Sequence, residues 1–256
     1  MKKYIFFIDI DETLIYHSSY LPEININAIK TARENGHIVF LNTGRAPAYI
    51  PDIVLNNIEF DGIIAASGSY FSIGDKEYLK DVIPLEKIEK NVRFALNTKR
   101  PTYFQGTNYN LAVNSGPYRN GAYHKVVTDV SEIKEKYSDI KVEKIVMKGR
   151  ISPAEKMYYS SLYQLIQQDT YAECWLRGND KGLVITKVMK FFEGYTSVGI
   201  GDSPNDLNML ETAEISVAMG NAVQKVKDLC DYVTDNAEEG GVGRIIYSII
   251  NKTEKQ

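Results

Sequence analysis

Short apolar runs rich in β-branched and aromatic residues alternate with amphipathic stretches at both ends of this chain. That alternation restricts the fold more than any other feature. Ile5 to Ile8 is the first such run and ends on acids, which suits a strand buried on both faces of a parallel sheet. Ile26 to Glu34 places Ile26, Ile29 and Ala32 on one side of a helix, with Gly36 as its C-cap. Ile38 to Leu41 is the next strand, closed by Asn42-Thr43-Gly44-Arg45; Pro47 to Leu55 reads as a helix and Gly62 to Ala66 as a strand. Such an order predicts an α/β fold, a doubly wound and mostly parallel sheet.

The rhythm lapses after Gly68. Tyr70–Ile73 and Glu77–Val82 flank Gly74-Asp75, a hairpin pattern. Leu85 to Asn97 reads as an amphipathic helix, Thr102–Gln105 and Asn110–Asn114 as short strands, and Ser115 to Ser131 lacks a clear period. Val142–Met147 alternates like a strand, Ser152–Gln168 reads as a helix opened by Ser152-Pro153, and Tyr171–Leu176 as a strand. Then the βα order resumes. Lys181–Phe192, Asp206–Thr212, Val223–Leu229 and Val242–Ile250 are expected helices; Ser197–Ile200, Ile215–Ala218 and a short segment at Val233 are expected strands. The pattern predicts an α/β domain, residues 1–83 and 179–256, interrupted by an inserted α+β domain at 84–178.

The chain's 256 residues are 44% hydrophobic, enough to bury a core without staples. Its 30 basic against 33 acidic side chains give a net charge of −3, which lacks the basic surplus of a nucleic-acid binder. Cys174 and Cys230 lie far apart without metal-ligand spacing, and read as buried thiols of a reducing compartment. The N-terminal apolar run stops at Asp9, too short for a signal peptide, and no run has the length of a membrane span. The expectation is a cytoplasmic protein that engages neither membrane nor nucleic acid. Monomer and dimer both stay open.

Chemistry gathers where strands end. Asp9-Ile10-Asp11-Glu12-Thr13 follows the first strand, at the edge where open α/β sheets bind ligands. Asp9 and Asp11 would share one side if strand geometry continued. Two carboxylates that close repel unless a cation lies between them or one keeps a proton; alone, they would be solvated acids in a turn. Asn42-Thr43-Gly44-Arg45 offers a hydroxyl and backbone N–H groups to a phosphate oxygen, or is an ordinary glycine turn. Gly201-Asp202-Ser203-Pro204-Asn205-Asp206 brings two more carboxylates and an amide to the same edge, or caps the next helix. Lys181-Gly182 opens the preceding helix, where a lone lysine is ordinarily solvated. His17, His37 and His124 are scattered and read as surface or packing residues.

Taken in order, these four segments resemble the haloacid dehalogenase superfamily, and within it the Cof-type phosphatases with a cap inserted after the second motif. The likeness runs nearly the whole length and includes Val217-Ala218-Met219-Gly220-Asn221-Ala222 and the stretch from Asn236 to Gly243. It implies a Rossmann-like core, an inserted cap, Mg²⁺ as cofactor, and a small phosphorylated metabolite such as a sugar phosphate or a cofactor- or nucleotide-like phosphate as substrate. Asp9 would be the nucleophile that becomes an aspartyl-phosphate. Asp11 would protonate the leaving oxygen and then activate water. Thr43 would hydrogen-bond the transferring phosphoryl group and Lys181 would neutralise charge. Asp9, Asp11, Asp202, Asn205 and Asp206 would hold Mg²⁺, Asp11 through its carbonyl; Thr43, Gly44, Arg45, Lys181 and Asn205 would bind substrate. The donor chemistry agrees, since hard oxygens suit Mg²⁺ and a carboxylate nearing a phosphate needs its repulsion cancelled.

Glu12 stands where the resembled enzymes carry glycine, and its side chain is expected to point away from the site. Ser67-Gly68 stands where they commonly carry Asn-Gly. In the cap, Tyr103, Gln105, Tyr109, Asn114, Tyr118, Arg119, Tyr123 and His124 are candidates for leaving-group recognition, or form a tyrosine-rich surface. Arg45 and Arg177 could meet an anionic substrate or form surface ion pairs. Two alternatives are a phosphomutase of the same architecture and a phosphoacceptor signalling module, which is shorter and lacks an insertion.

Overall fold

The computed structural model describes residues 2–119 and 122–253. The chain divides into two compact units. One holds the residues up to Gly44, Pro51–Tyr78 and those from Asp180 onward; the other holds Arg45–Ile50 and Leu79–Asn179. Residues 45–50, 79–83 and 179, expected in the first domain, therefore group with the second.

In chain order the strands are β1 (Lys3–Ile8), β2 (Ile38–Asn42), β3 (Gly62–Ala65), β4 (Tyr70–Ile73), β5 (Lys76–Lys80), β6 (Thr102–Gly106), β7 (Leu111–Val113) and β8 (Tyr118–Arg119). They continue as β9 (Ala122–Tyr123), β10 (Lys125–Val127), β11 (Val142–Lys148), β12 (Gln164–Gln167), β13 (Tyr171–Trp175), β14 (Tyr195–Gly201), β15 (Ile215–Ala218) and β16 (Tyr232–Val233). The helices are α1 (Glu23–Glu34), α2 (Asp52–Leu55), α3 (Leu85–Thr98), α4 (Glu132–Glu135), α5 (Pro153–Leu162), α6 (Lys181–Met189), α7 (Leu207–Thr212), α8 (Gln224–Lys227) and α9 (Gly241–Thr253).

The first sheet has the order β16-β15-β14-β1-β2-β3-β4-β5. Strands β16 through β3 are parallel, and β4 returns antiparallel to β3. Its central strand β1 carries Ile5, Phe6, Phe7 and Ile8, all fully buried, as a strand covered on both faces requires. Each such side chain contributes about 1.5–3 kcal/mol on burial. Strand number rises from β1 outward in one direction and from β14 outward in the other. The carboxyl ends of β1 and β14 therefore flank a topological switch point, where open α/β sheets place their ligands.

Helices α1 and α9 pack together around Asn25, whose Nδ2 donates to the Leu14 carbonyl at 3.0 Å and whose Oδ1 accepts the Gly243 N–H at 2.8 Å. Helices α6 and α7 meet at Gly182. A Cβ there would lie 2.2 Å from the Asn208 carbonyl oxygen, so a larger residue would push α6 off its neighbour.

The second unit is built on a sheet of order β10-β7-β6-β11-β13-β12. One face packs Phe104, Ile145, Met147 and Cys174 with Ile88 and Val92 of α3 and Tyr159 of α5. The other carries Tyr103, Ala112 and Val146, together with a buried ion pair, Lys144 Nζ to Glu173 Oε2 at 2.6 Å.

Two expected helices break partway through their sequence pattern. The segment 47–55 splits into a 3₁₀ turn, Pro47–Tyr49, and α2, because Pro51 holds Ile50 extended at ψ 130°. The segment 152–168 leaves helix at Tyr163, whose φ is −135°, and Gln164–Gln167 pairs antiparallel with β13. Tyr163 is buried and its hydroxyl accepts from Asn91 Nδ2 at 2.6 Å, so tertiary contacts override helical spacing.

Candidate active site

Asp9 is the residue after β1. Its N–H donates to the Ile200 carbonyl at 3.1 Å, so the backbone stays paired to β14 while the carboxylate is buried at the switch point. Lys181 is the first residue of α6, whose start is fixed by Asp180, an N-cap accepting the Leu183 N–H at 2.7 Å. Lys181 Nζ lies 2.5 Å from Asp9 Oδ1 and 2.6 Å from Asp206 Oδ1. The close α6–α7 approach at Gly182 permits that reach.

Asp206 closes the 3₁₀ turn Pro204–Asp206 that follows β14. Its second oxygen accepts the N–H groups of Asp202 and Ser203, both at 3.1 Å. Asp202 in turn accepts the Thr13 hydroxyl at 3.0 Å. Asp9, Asp202 and Asp206 each offer one oxygen within 4.8 Å of the others.

Three carboxylates here face one ammonium, and the imbalance shifts Asp9, Asp202 and Lys181. Burial raises the Asp9 carboxyl well above its ordinary range, and Asp206 raises it further against the opposing pull of Lys181. Burial and Asp206 push Asp202 up to about 7, although the Thr13 hydrogen bond lowers it. Burial works against the Lys181 charge, yet Asp206 and Asp9 hold it above its usual value. The cluster is short of positive charge and its donors are hard oxygens, the set a Mg²⁺ ion takes.

Thr43 is buried at the end of β2; its N–H donates to the Ile64 carbonyl at 2.9 Å and its carbonyl accepts from Ser67 N–H at 3.3 Å. Gly44 is the last residue of the first unit before residues 45–50. Arg45 lies in the second unit, where its guanidinium donates to the Tyr49 carbonyl at 3.1 Å and sits 5.1 Å from that ring's centre. Asp11 is half-buried and acts on Asp9 as the weakest of the neighbouring charges. Asn205 is exposed, its side-chain oxygen accepting from Ser203 Oγ at 2.5 Å.

Glu12 adopts φ 57°, a left-handed conformation that residues with a Cβ resist. Its Oε1 turns to its own loop and accepts the His17 N–H at 3.1 Å. Ser67 is also left-handed, with φ 55° and ψ 35°. At the adjoining Gly68, φ is 91° and a Cβ would sit 2.4 Å from the Asp180 carbonyl oxygen, so glycine is required. Sequence reasoning did not single out Thr13, Asn221 or the glycine role at 182. The first two lie inside motifs already noted, and the third becomes visible once α6 and α7 are neighbours.

Several cap candidates are committed within their own unit. Tyr109 donates its hydroxyl to Asp139 Oδ1 at 2.6 Å, Asn114 donates to the Ala95 carbonyl at 2.7 Å, and Arg177 donates to the carbonyls of Tyr163 and Ser160. Tyr103 shares a hydrogen bond with Ser115 Oγ at 2.7 Å, and its ring centre is 5.2 Å from that of buried His124. Gln105 is buried, while Tyr118 and Tyr123 are exposed and pack edge to face. The side chain of Arg119 lies outside the described residues. His17 is exposed, and His37 is buried with Nδ1 accepting the Tyr4 N–H at 3.2 Å. Both cysteines are free thiols; Cys174 is buried but Cys230 only half-buried. No helix among the described residues is long and apolar enough to cross a membrane.

A doubly wound sheet with an oxygen-rich, lysine-bridged cluster at its switch point defines the class as an α/β protein with a polar site suited to a divalent cation. The chain belongs to the haloacid dehalogenase-like hydrolases, whose sequence model matches residues 6–246. Among its relatives is a 5-amino-6-(5-phospho-D-ribitylamino)uracil phosphatase of Bacillus subtilis, YcsE, 28% identical over 244 residues that cover 93% of this chain and 92% of that one. A solved sugar phosphatase of haloacid dehalogenase subclass IIB, BT4131, superposes with a TM-score of 0.77 at 25% identity, covering 97% of this chain and 99% of the other. A haloacid dehalogenase-like hydrolase from Bacteroides thetaiotaomicron shares the fold with a TM-score of 0.81 at 24% identity, covering 97% and 100%. The Cof-type assignment and the α/β core with a second sheet-bearing unit stand on these likenesses, and the enzyme is a phosphatase of this family.

Proposed function

We propose that the chain is a Mg²⁺-dependent phosphatase that hydrolyses monoesters of small metabolites through an aspartyl-phosphate on Asp9. One observation carries the reading: Lys181 Nζ bridges Asp9 at 2.5 Å and Asp206 at 2.6 Å, beside Asp202, where the parallel sheet changes direction. Asp9 Oδ attacks phosphorus and the bond to the leaving oxygen breaks. Asp11 gives that oxygen its proton, so an alcohol rather than an alkoxide departs. Water then attacks the aspartyl-phosphate, Asp11 takes its proton, and inorganic phosphate leaves with Asp9 restored.

Lys181 orients Asp9, favours its ionised form against burial, and offsets charge on the phosphoryl oxygens. Thr43, at the end of β2, donates its hydroxyl to one of those oxygens. Asp9, Asp202 and Asp206 would hold the metal, with the Asp11 carbonyl and Asn205 completing the set. A bound Mg²⁺ would lower the repulsion between nucleophile and phosphate and stabilise charge as it develops.

The relatives support a sugar phosphate or a sugar-alcohol phosphate attached to a ring as the substrate class. The test is phosphate release from a panel of phosphorylated metabolites with Mg²⁺ and with EDTA. Asp9→Asn is expected to abolish release with folding intact. Retained turnover would remove Asp9 from its role, and accumulation of an isomer instead of inorganic phosphate would indicate a mutase.

A further inference from the structure

We infer that Asn221 is a positioning residue for Asp11, acting through the backbone of Glu12. Asn221 sits in the loop after β15. Its Nδ2 donates to the Glu12 carbonyl at 2.7 Å, and its Oδ1 accepts the Ala237 N–H at 2.8 Å. One side-chain amide thereby joins the loops that follow β1, β15 and β16 at the carboxyl edge of the sheet.

The turn it grips needs holding. Glu12 has φ 57° and is followed by two more left-handed residues with side chains, His17 at φ 48° and Ser18 at φ 58°. Such conformations persist where surrounding bonds over-determine them. Here Asn221 supplies one such bond, Glu12 Oε1 accepts the His17 N–H at 3.1 Å, and the N–H groups of Thr13, Leu14 and Ile15 all donate to the Ile10 carbonyl. Asp11 immediately precedes the gripped residue. Thr13 follows it and donates to Asp202 at 3.0 Å. The carbonyl that Asn221 holds belongs to the Glu12–Thr13 peptide, one residue beyond Asp11, so a loop some two hundred positions away in sequence steadies the turn from which the Asp11 side chain projects. A glycine at position 12 would adopt the same turn without the clamp; this chain carries a glutamate and the clamp together.

The inference rests on the reading of Asp11 as the acid that protonates the leaving oxygen, and the experiment separates the two. The quantity measured is kcat/KM on two monoesters sharing a phosphoryl group, p-nitrophenyl phosphate and glycerol phosphate. The aryl leaving group departs without a proton and the alkyl one needs it. The ratio of the two values does not depend on the fraction of enzyme that is folded. Asn221→Ala and the near-isosteric Asn221→Asp are expected to lower the alkyl value at least tenfold more than the aryl value. Asp11→Asn is expected to show the same selectivity more strongly. Adding Glu12→Gly to Asn221→Ala is expected to recover at least threefold of the ratio. If Asp11→Asn is selective and the Asn221 variants lose both activities equally, Asn221 is structural and the inference fails. Failure of glycine to recover the ratio overturns the route through Glu12. An unselective Asp11→Asn overturns the acid role itself, and the inference with it.

Discussion

Asp206 presents one carboxylate oxygen to Lys181 at 2.6 Å and gives the other to the amide protons of Asp202 and Ser203, each at 3.1 Å. A single buried side chain thus ties the start of α6 to the loop after β14, and the lysine that reaches Asp9 is held from two sides. Removing one partner of such a buried set leaves charge without compensation, a loss of about 3–5 kcal/mol. Lys181→Met strands three carboxylates at the switch point. It is expected to lower the melting temperature markedly and to reduce kcat by roughly 10²–10³, the scale of losing one oriented charge-stabilising donor. Calorimetry and phosphate release on the same preparation check both. A variant that melts like the parent would mean the carboxylates are not held apart from water as their burial indicates.

The sheet was legible because apolar runs of β-branched and aromatic residues end in polar motifs, and Asp9, Thr43 and Asp202 stand where strands give way to loops. What the sequence could not reveal depends on partners distant in the chain. Tyr163 abandons the helix because a buried hydrogen bond to Asn91 holds it. Residues 45–50 group with the second unit, although their composition resembles the flanking segments. At 182, glycine looks like a helix weakener until α7 is seen against it, with the Asn208 carbonyl 2.2 Å from where a Cβ would stand. Glu12 is the converse: its position is plain in the sequence, while its left-handed backbone, φ 57°, is not what a residue with a side chain ordinarily adopts.

The oxygen cluster gives a direct expectation for metal binding. Asp9, Asp202 and Asp206 outnumber Lys181, and a divalent cation that binds the folded state stabilises it by about 2.7 kcal/mol at a hundredfold excess over Kd. Mg²⁺ is expected to raise the melting temperature by several degrees, with EDTA reversing the shift. Asp202→Asn removes one ligand charge and is expected to abolish most of the shift without unfolding the protein. Thermal scans of parent and variant with and without Mg²⁺ check this, and an undiminished shift in the variant would move the metal elsewhere.

Glu132 contributes to the acid stability of the second unit. Its Oε1 accepts the N–H groups of Thr128 and Asp129 at 2.9 and 3.0 Å, and its Oε2 accepts from Lys136 at 3.0 Å. The backbone hydrogen bond from Thr128, followed by the Lys136 contact, draws its pKa down to about 2. An unfolded glutamate titrates near 4.3. The folded value lies below the unfolded one, so the ionised carboxylate stabilises the fold above about pH 4.3, and that contribution fades as pH falls towards 2. Glu132→Gln cannot make the charged contacts and is expected to be less stable than the parent at pH 7, by an amount that shrinks steadily from pH 4 to pH 2. The single tryptophan, Trp175, lies in β13 of the same unit, so its fluorescence reports this unfolding directly. A stability difference that stayed constant down to pH 2 would assign Glu132 a packing role in place of an electrostatic one.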